Sequence, residues 1–130
     1  MEEAKTDTKC SEAFLRSFSF FSGEKYELFI LVVMPDHVHC LMKPLYMNNG
    51  ECWPLSRIMH SIKSYSAKQI PSVMNHIGTI WQSERYDRII RSQQEFENVY
   101  KYILQNPVKA GLSQHSTSYP FLWQATLSGR

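Results

Sequence analysis

The segment that most constrains this chain runs from Leu28 to Pro44 and reads LFILVVMPDHVHCLMKP. Leu28 to Met34 is an apolar run rich in Val, Ile and Leu, with the length and branching of a buried strand. Pro35-Asp36 stops it, because proline cannot donate to a ladder and Pro-Asp is a turn pair. A second strand, His37 to Lys43, is expected to follow. Side chains on a strand alternate faces, so His37 and His39 point one way and Val38, Cys40 and Met42 the other. Two imidazoles at i, i+2 beside a turn can share one divalent metal, with Asp36 close by. A bare H-x-H is more often just a pair of half-exposed strand histidines. The rest of the chain must decide between these readings.

At 130 residues the chain is expected to be one domain, residues 1–130, burying roughly two thirds of its unfolded surface. Hydrophobic residues make up 43% and charged residues 20%, which puts it among ordinary soluble globular proteins. A net charge of only +2 supplies no global basic field, so any case for nucleic-acid binding must be local. The three cysteines, Cys10, Cys40 and Cys52, are odd in number and lack C-x-x-C spacing. That argues against a disulfide framework or a cysteine zinc site and fits a reducing cytoplasm. The opening MEEAKTDTK contains acids and does not read as a signal peptide. The longest apolar run falls far short of the roughly 20 residues a membrane span needs. A cytoplasmic protein with no membrane partner is expected.

Residues 1–9 read as disordered, and Ser11 to Phe21 as a short helix capped by Ser11 and ended by Gly23. Tyr46 to Trp53, with Asn-Asn-Gly at its centre, reads as a loop. Pro54 suits the first turn of a helix running to about Ile70, with Leu55, Ile58, Met59 and Ile62 as its buried stripe. Arg57, Lys63 and Lys68 lie mostly off that stripe, either on a solvated face or against phosphate. Thr79 to Gln82 and Tyr86 to Arg91 read as two further short strands. Arg85, Arg88 and Arg91 crowd together there with Tyr86 and Trp81 nearby, a plausible surface for single-stranded nucleic acid.

Ser92 and Glu95 form an S-x-x-E capping box that opens a last helix. Phe96, Val99, Tyr100, Ile103 and Leu104 make its apolar stripe, and Asn106-Pro107 is expected to end it. The tail, with Tyr119, Phe121 and Trp123, is expected to pack back on the body. Tyr102 stands outside the stripe, roughly 100° from Ile103 and about 60° from Val99 around the helix. It shares that flank with Glu95, Asn98 and Asn106, and Asn106 follows it by one turn. On this helix alone Tyr102 would be a surface tyrosine. Joined with the histidine pair it gains a chemistry: a metal held by two imidazoles and an amide oxygen polarises a phosphodiester, and a phenol beside it attacks phosphorus.

MPDHVH, then WQSERYDRIIRS, then YILQNPVKAGL, in this order and spacing, resemble the single-tyrosine HUH transposases, in particular the REP-associated tyrosine transposases. The resemblance covers about residues 10 to 125. It implies an α+β fold, a ferredoxin-like (RRM-like) antiparallel sheet with helices packed on it, here of about four strands. It implies Mg²⁺ or Mn²⁺ on His37, His39 and Asn106, with Tyr102 as nucleophile. It implies cleavage and transfer of one DNA strand, leaving a 5′-phosphotyrosine and a free 3′-OH. A DNA hairpin with adjacent single strand is the implied partner, and Lys63, Arg85, Arg88 and Arg91 are the contact candidates. Related enzymes complete their site with the tyrosine helix of a second subunit in some cases, so a homodimer is open.

One departure from the family pattern stands out. Its members usually begin with an aromatic- and Thr-rich strand before the first helix, and this sequence shows no counterpart, as expected of an N-terminally truncated or mis-started copy. The absence would expose a neighbouring sheet edge. Two alternatives stay open at this point: a hairpin-binding protein that has lost catalysis, and an unrelated H-x-H metal hydrolase of cupin type. The second needs many more strands and leaves Tyr102 and Asn106 without a role.

Overall fold

The computed structural model describes residues 2–34, 37–69 and 89–125. Along the chain stand helix α1 (Glu2–Phe20), strands β1 (Tyr26–Val33) and β2 (Val38–Pro44), and helix α2 (Leu55–Gln69). Helix α3 (Gln93–Lys109), a 3₁₀ turn (Ser116–Ser118) and strand β3 (Leu122–Gln124) follow. The fold is α+β: among the described residues the three strands form one antiparallel sheet in the order β2-β1-β3. The expected strand Thr79 to Gln82 lies outside the described residues, as does all but 89–91 of Tyr86 to Arg91. Residues 89–91 are not in a strand.

β1 and β2 pair from Tyr26↔Pro44 to Val33↔Val38, and the Met34 N–H donates to the His37 carbonyl at 2.8 Å to close the turn. The ladder slips once, between Leu28 and Ile30, so Phe29 has no opposite number. This bulge puts Phe29 and Ile30 on the same face, where strict alternation would have separated them. Both faces of β1 are therefore filled. Leu28, Leu31 and Val33 pack with Phe14, Phe18, Ile58 and Ile62 of α1 and α2 on one side. Ile30, Val32 and Met34 pack with Ile103 of α3 and with Tyr119 on the other. The result is a sheet between two helical layers, each stripe buried as its spacing demands.

Three expectations need correction. The helix expected from Ser11 begins at Glu2, so it takes in residues 2–9 of the stretch that read as disordered. Ser11 is interior to it and 5% exposed, so it is a packing residue and caps nothing. The preceding Glu, Ala and Lys residues are good helix formers, which lets the helix extend. Next, Asn106-Pro107 does not stop the last helix, which continues to Lys109 with Pro107 inside it. Pro107 falls in the final turn, where it removes only one intrahelical bond. Its ring is fully buried, and the Asn106 carbonyl still accepts from the Ala110 N–H at 3.0 Å.

The tail does more than pack back. It supplies β3, with Ile30↔Gln124, Leu31↔Trp123 and Val32↔Leu122 in register. The Tyr119 hydroxyl donates to the Val33 carbonyl at 2.6 Å, and burial pushes that phenol's pKa up. Other expectations agree with the structure. Gly23, at φ +93, adopts the left-handed backbone after α1 that glycine tolerates without strain. The Pro54 carbonyl accepts from Arg57 and Ile58 to open α2, and Arg57 lies over the Trp53 ring at 5.2 Å. Among the described residues no helix is long and apolar enough to cross a membrane.

Candidate active site

β2 sets the site. Its Val38, Cys40 and Met42 pack toward the α1/α2 layer, while Leu41 joins the core under α3. Alternation then puts His37 and His39 on the α3 side. Their rings lie 4.6 Å apart between centroids, nearly perpendicular at 82°. His37 is exposed and His39 half-buried. Burial, and secondarily the neighbouring His37, lowers the His39 pKa below that of a free imidazole. At neutral pH His39 is thus uncharged and keeps a nitrogen lone pair to offer.

α3 brings the second half. Ser92 caps it, accepting from the Glu95 N–H at 3.1 Å. The Glu95 carboxylate reaches back to the Arg91 N–H at 2.9 Å, one residue earlier than the usual box partner. The stripe residues Phe96, Val99, Tyr100 and Leu104 pack around Ile103 against the sheet. This rotation turns Tyr102 outward, 51% exposed, with its ring centre 5.6 Å from that of His39 and edge-on to it. Tyr100 is occupied elsewhere, its hydroxyl accepting from the Gln124 amide at 2.8 Å. Asn106, half-buried, follows Tyr102 by one turn.

His37, His39 and Tyr102 are thus brought together, with Asn106 on the same flank of α3. Among the described residues no three His, Cys, Asp or Glu side chains cluster to hold a metal ion. Asp36 lies outside the described residues. A divalent ion here would be held by the two imidazoles and the Asn106 amide, a mixed donor set in which the carbonyl oxygen suits Mg²⁺ and Mn²⁺ and the imidazole nitrogens suit borderline transition metals.

The two DNA-contact candidates among the described residues, Lys63 and Arg91, lie away from this site. Lys63 belongs to α2, whose layer covers the opposite face of the sheet. Arg91 is exposed at the entry to α3, away from Tyr102 by most of the helix. Arg85 and Arg88 lie outside the described residues. Sequence reasoning passed over Lys109, whose ammonium lies 6.0 Å from the centre of the Tyr102 ring. Its spacing of seven from Tyr102 was the available signal, hidden by the expectation that the helix ended at Asn106.

An α+β domain with an H-x-H strand beside a tyrosine-bearing helix is the class that fold and site define. The sequence of residues 5–106 matches the family described as IS200-like transposases. This is most of the chain, and the chain belongs to that family. It is also similar to two curated proteins of Haemophilus influenzae (strain ATCC 51907 / DSM 11121 / KW20 / Rd). One, provisionally named a REP-associated tyrosine transposase, is 26% identical over 105 residues, covering 74% of this chain and 57% of the relative. The other, an uncharacterized protein, is 26% identical over 93 residues, covering 59% of this chain and 52% of the relative. The chain therefore spans just over half the length of these relatives. No solved structure matches.

Proposed function

We propose that this domain cuts and transfers single-stranded DNA in transposition, through a covalent bond between Tyr102 and a 5′-phosphate. The observation that carries the proposal is the meeting of His39 and Tyr102, their rings 5.6 Å apart although they come from different elements. Membership of the transposase family supports the substrate class. In the step proposed, the Tyr102 oxygen attacks phosphorus and loses its proton to solvent. The bond from phosphorus to the 3′-oxygen breaks, and that oxygen leaves as a free 3′-OH after taking up a proton. Strand transfer is the same exchange in reverse, with a new 3′-OH as attacker.

His37, His39 and the Asn106 amide would hold Mg²⁺ or Mn²⁺. When bound, such an ion supplies charge stabilisation at a phosphoryl oxygen. His39, kept neutral, serves as a ligand without first losing a proton. Exposure of Tyr102 leaves its hydroxyl open to a strand arriving from solvent. The DNA is proposed to carry a hairpin beside the cut strand. One copy of the chain supplies both Tyr102 and the histidines in this reading, so a homodimer is not needed to complete the site.

The test is incubation with Mn²⁺ and an end-labelled oligonucleotide carrying a hairpin with randomised single-stranded flanks. The expected result is label that migrates with the protein on a denaturing gel, dependent on the metal. A mobility shift in native gels with no covalent adduct and no nick would overturn catalysis and leave a DNA-binding protein.

A further inference from the structure

We infer that Lys109 is a phosphate-binding residue of the same site, holding the DNA phosphate that Tyr102 attacks. This rests on the reading of Tyr102 as the residue presented to DNA. It adds a residue that neither the histidine pair nor the tyrosine-amide pair includes.

The inference begins with the correction at the end of α3. Were the helix to stop at Asn106, Lys109 would fall in a turn with no fixed relation to Tyr102. Because the helix runs to Lys109, that residue stands seven positions after Tyr102, roughly 20° from it in projection. Asn106 lies between them, roughly 40° from Tyr102. Tyr102, Asn106 and Lys109 thus form one line along the exposed side of α3. The ammonium is near the ring, 6.0 Å from its centre, and the residue is solvent-exposed. Among the described residues no carboxylate pairs with it.

The chemistry of that position is specific. The Asn106 amide carries no charge to bring to a phosphodiester. Lys109 is the cation that the described residues show beside Tyr102. A lysine ammonium is a compact charge on a flexible stem and binds phosphate as a point charge. Its stem lets the ammonium swing from the ring face to a non-bridging oxygen of a phosphate seated at the phenol oxygen. There it would orient the phosphorus for attack and offset the charge that builds on those oxygens.

The experiment compares wild type with Lys109→Met, which keeps the length of the stem without the charge, and Lys109→Arg, which keeps the charge. The hairpin oligonucleotide described above is the probe. The first readout is native-gel affinity across a salt series without metal, which needs no cleavage. Each phosphate contact on a single strand contributes about 0.7 to the slope of log K against log salt. Lys109→Met is expected to reduce that slope by about 0.7, and Lys109→Arg to restore it. The second readout is the single-turnover rate of adduct formation with Mn²⁺. Lys109→Met is expected to slow it by on the order of tenfold or more, with Lys109→Arg recovering most of the rate.

An unchanged salt slope for Lys109→Met overturns the inference, whether or not the wild type cleaves. So does failure of the wild type to bind the probe, which removes the phosphate to be held. If the wild type binds but forms no adduct, the cleavage reading fails while the salt slope still decides the role of Lys109.

Discussion

Tyr100 and Tyr102 stand two positions apart on α3 and face different surroundings. Tyr100 is packed beside Phe96 and bonded to Gln124, whereas Tyr102 is 51% exposed beside His39. Helical periodicity alone separated them, because two residues on a helix differ by roughly 200° and only one can share the apolar stripe. The facing of His37 and His39 was legible because successive strand side chains alternate faces where no bulge interrupts the ladder, and the pairing of Val38 to Leu41 with β1 is unbroken. The proposed metal can be tested at this scale. His37→Ala and His39→Ala are each expected to abolish Mn²⁺ binding measured by calorimetry, while Cys40→Ser, on the opposite face, leaves it unchanged. A double alanine variant that binds Mn²⁺ as well as wild type would place the metal elsewhere. The lowered pKa of His39 gives a signed prediction as well. The unfolded chain takes up a proton at about pH 6.5, while the folded chain resists it to lower pH. Stability is therefore unaffected above that value and declines as pH falls through and below it. Thermal melts between pH 7.5 and 5 should show a steeper loss for wild type than for His39→Gln. Equal slopes would mean that His39 is not desolvated.

At the scale of elements, starts and stops were read with uneven success. The capping box on α3 was legible because Ser and Glu at that spacing satisfy N–H groups left open by any helix start. Ser92→Ala is expected to cost about 1 kcal/mol in urea denaturation, with Ser92→Asp retaining most of the stability. A loss within error of zero would show that the cap bond at 3.1 Å contributes nothing. The ends of α1 and α3 were misread because local signals were given the final word. Ser11 looks like a cap only if its hydroxyl is at a helix end, and here it is buried within one. Asn-Pro disfavours helix, but the burial of Pro107 and the bonds that resume at Ala110 and Leu112 outweigh that local preference. The second error also concealed Lys109, which shares a side with Tyr102 only on a continuous helix.

Across the whole molecule, the β1–β2 hairpin was legible and its second partner was not. Leu122–Gln124 is a three-residue strand with no alternation to announce it, and it exists because the ladder of β1 accepts it. Tyr119 anchors that tail, so Tyr119→Phe is expected to destabilise the fold by about 1 kcal/mol through loss of its bond to the Val33 carbonyl. An unchanged urea midpoint would contradict that role. Among the described residues this sheet holds the strand of His39 and the helix of Tyr102 against each other, with α1 and α2 filling the other face. The central claim is that this arrangement makes Tyr102 the nucleophile, and one measurement addresses it directly. Wild type, Tyr100→Phe and Tyr102→Phe are each incubated with Mn²⁺ and the labelled hairpin oligonucleotide, then resolved on a denaturing gel. Wild type and Tyr100→Phe should carry the label covalently, and Tyr102→Phe should carry none while still shifting the same DNA in a native gel. Adduct formed by Tyr102→Phe at the wild-type level would contradict the account.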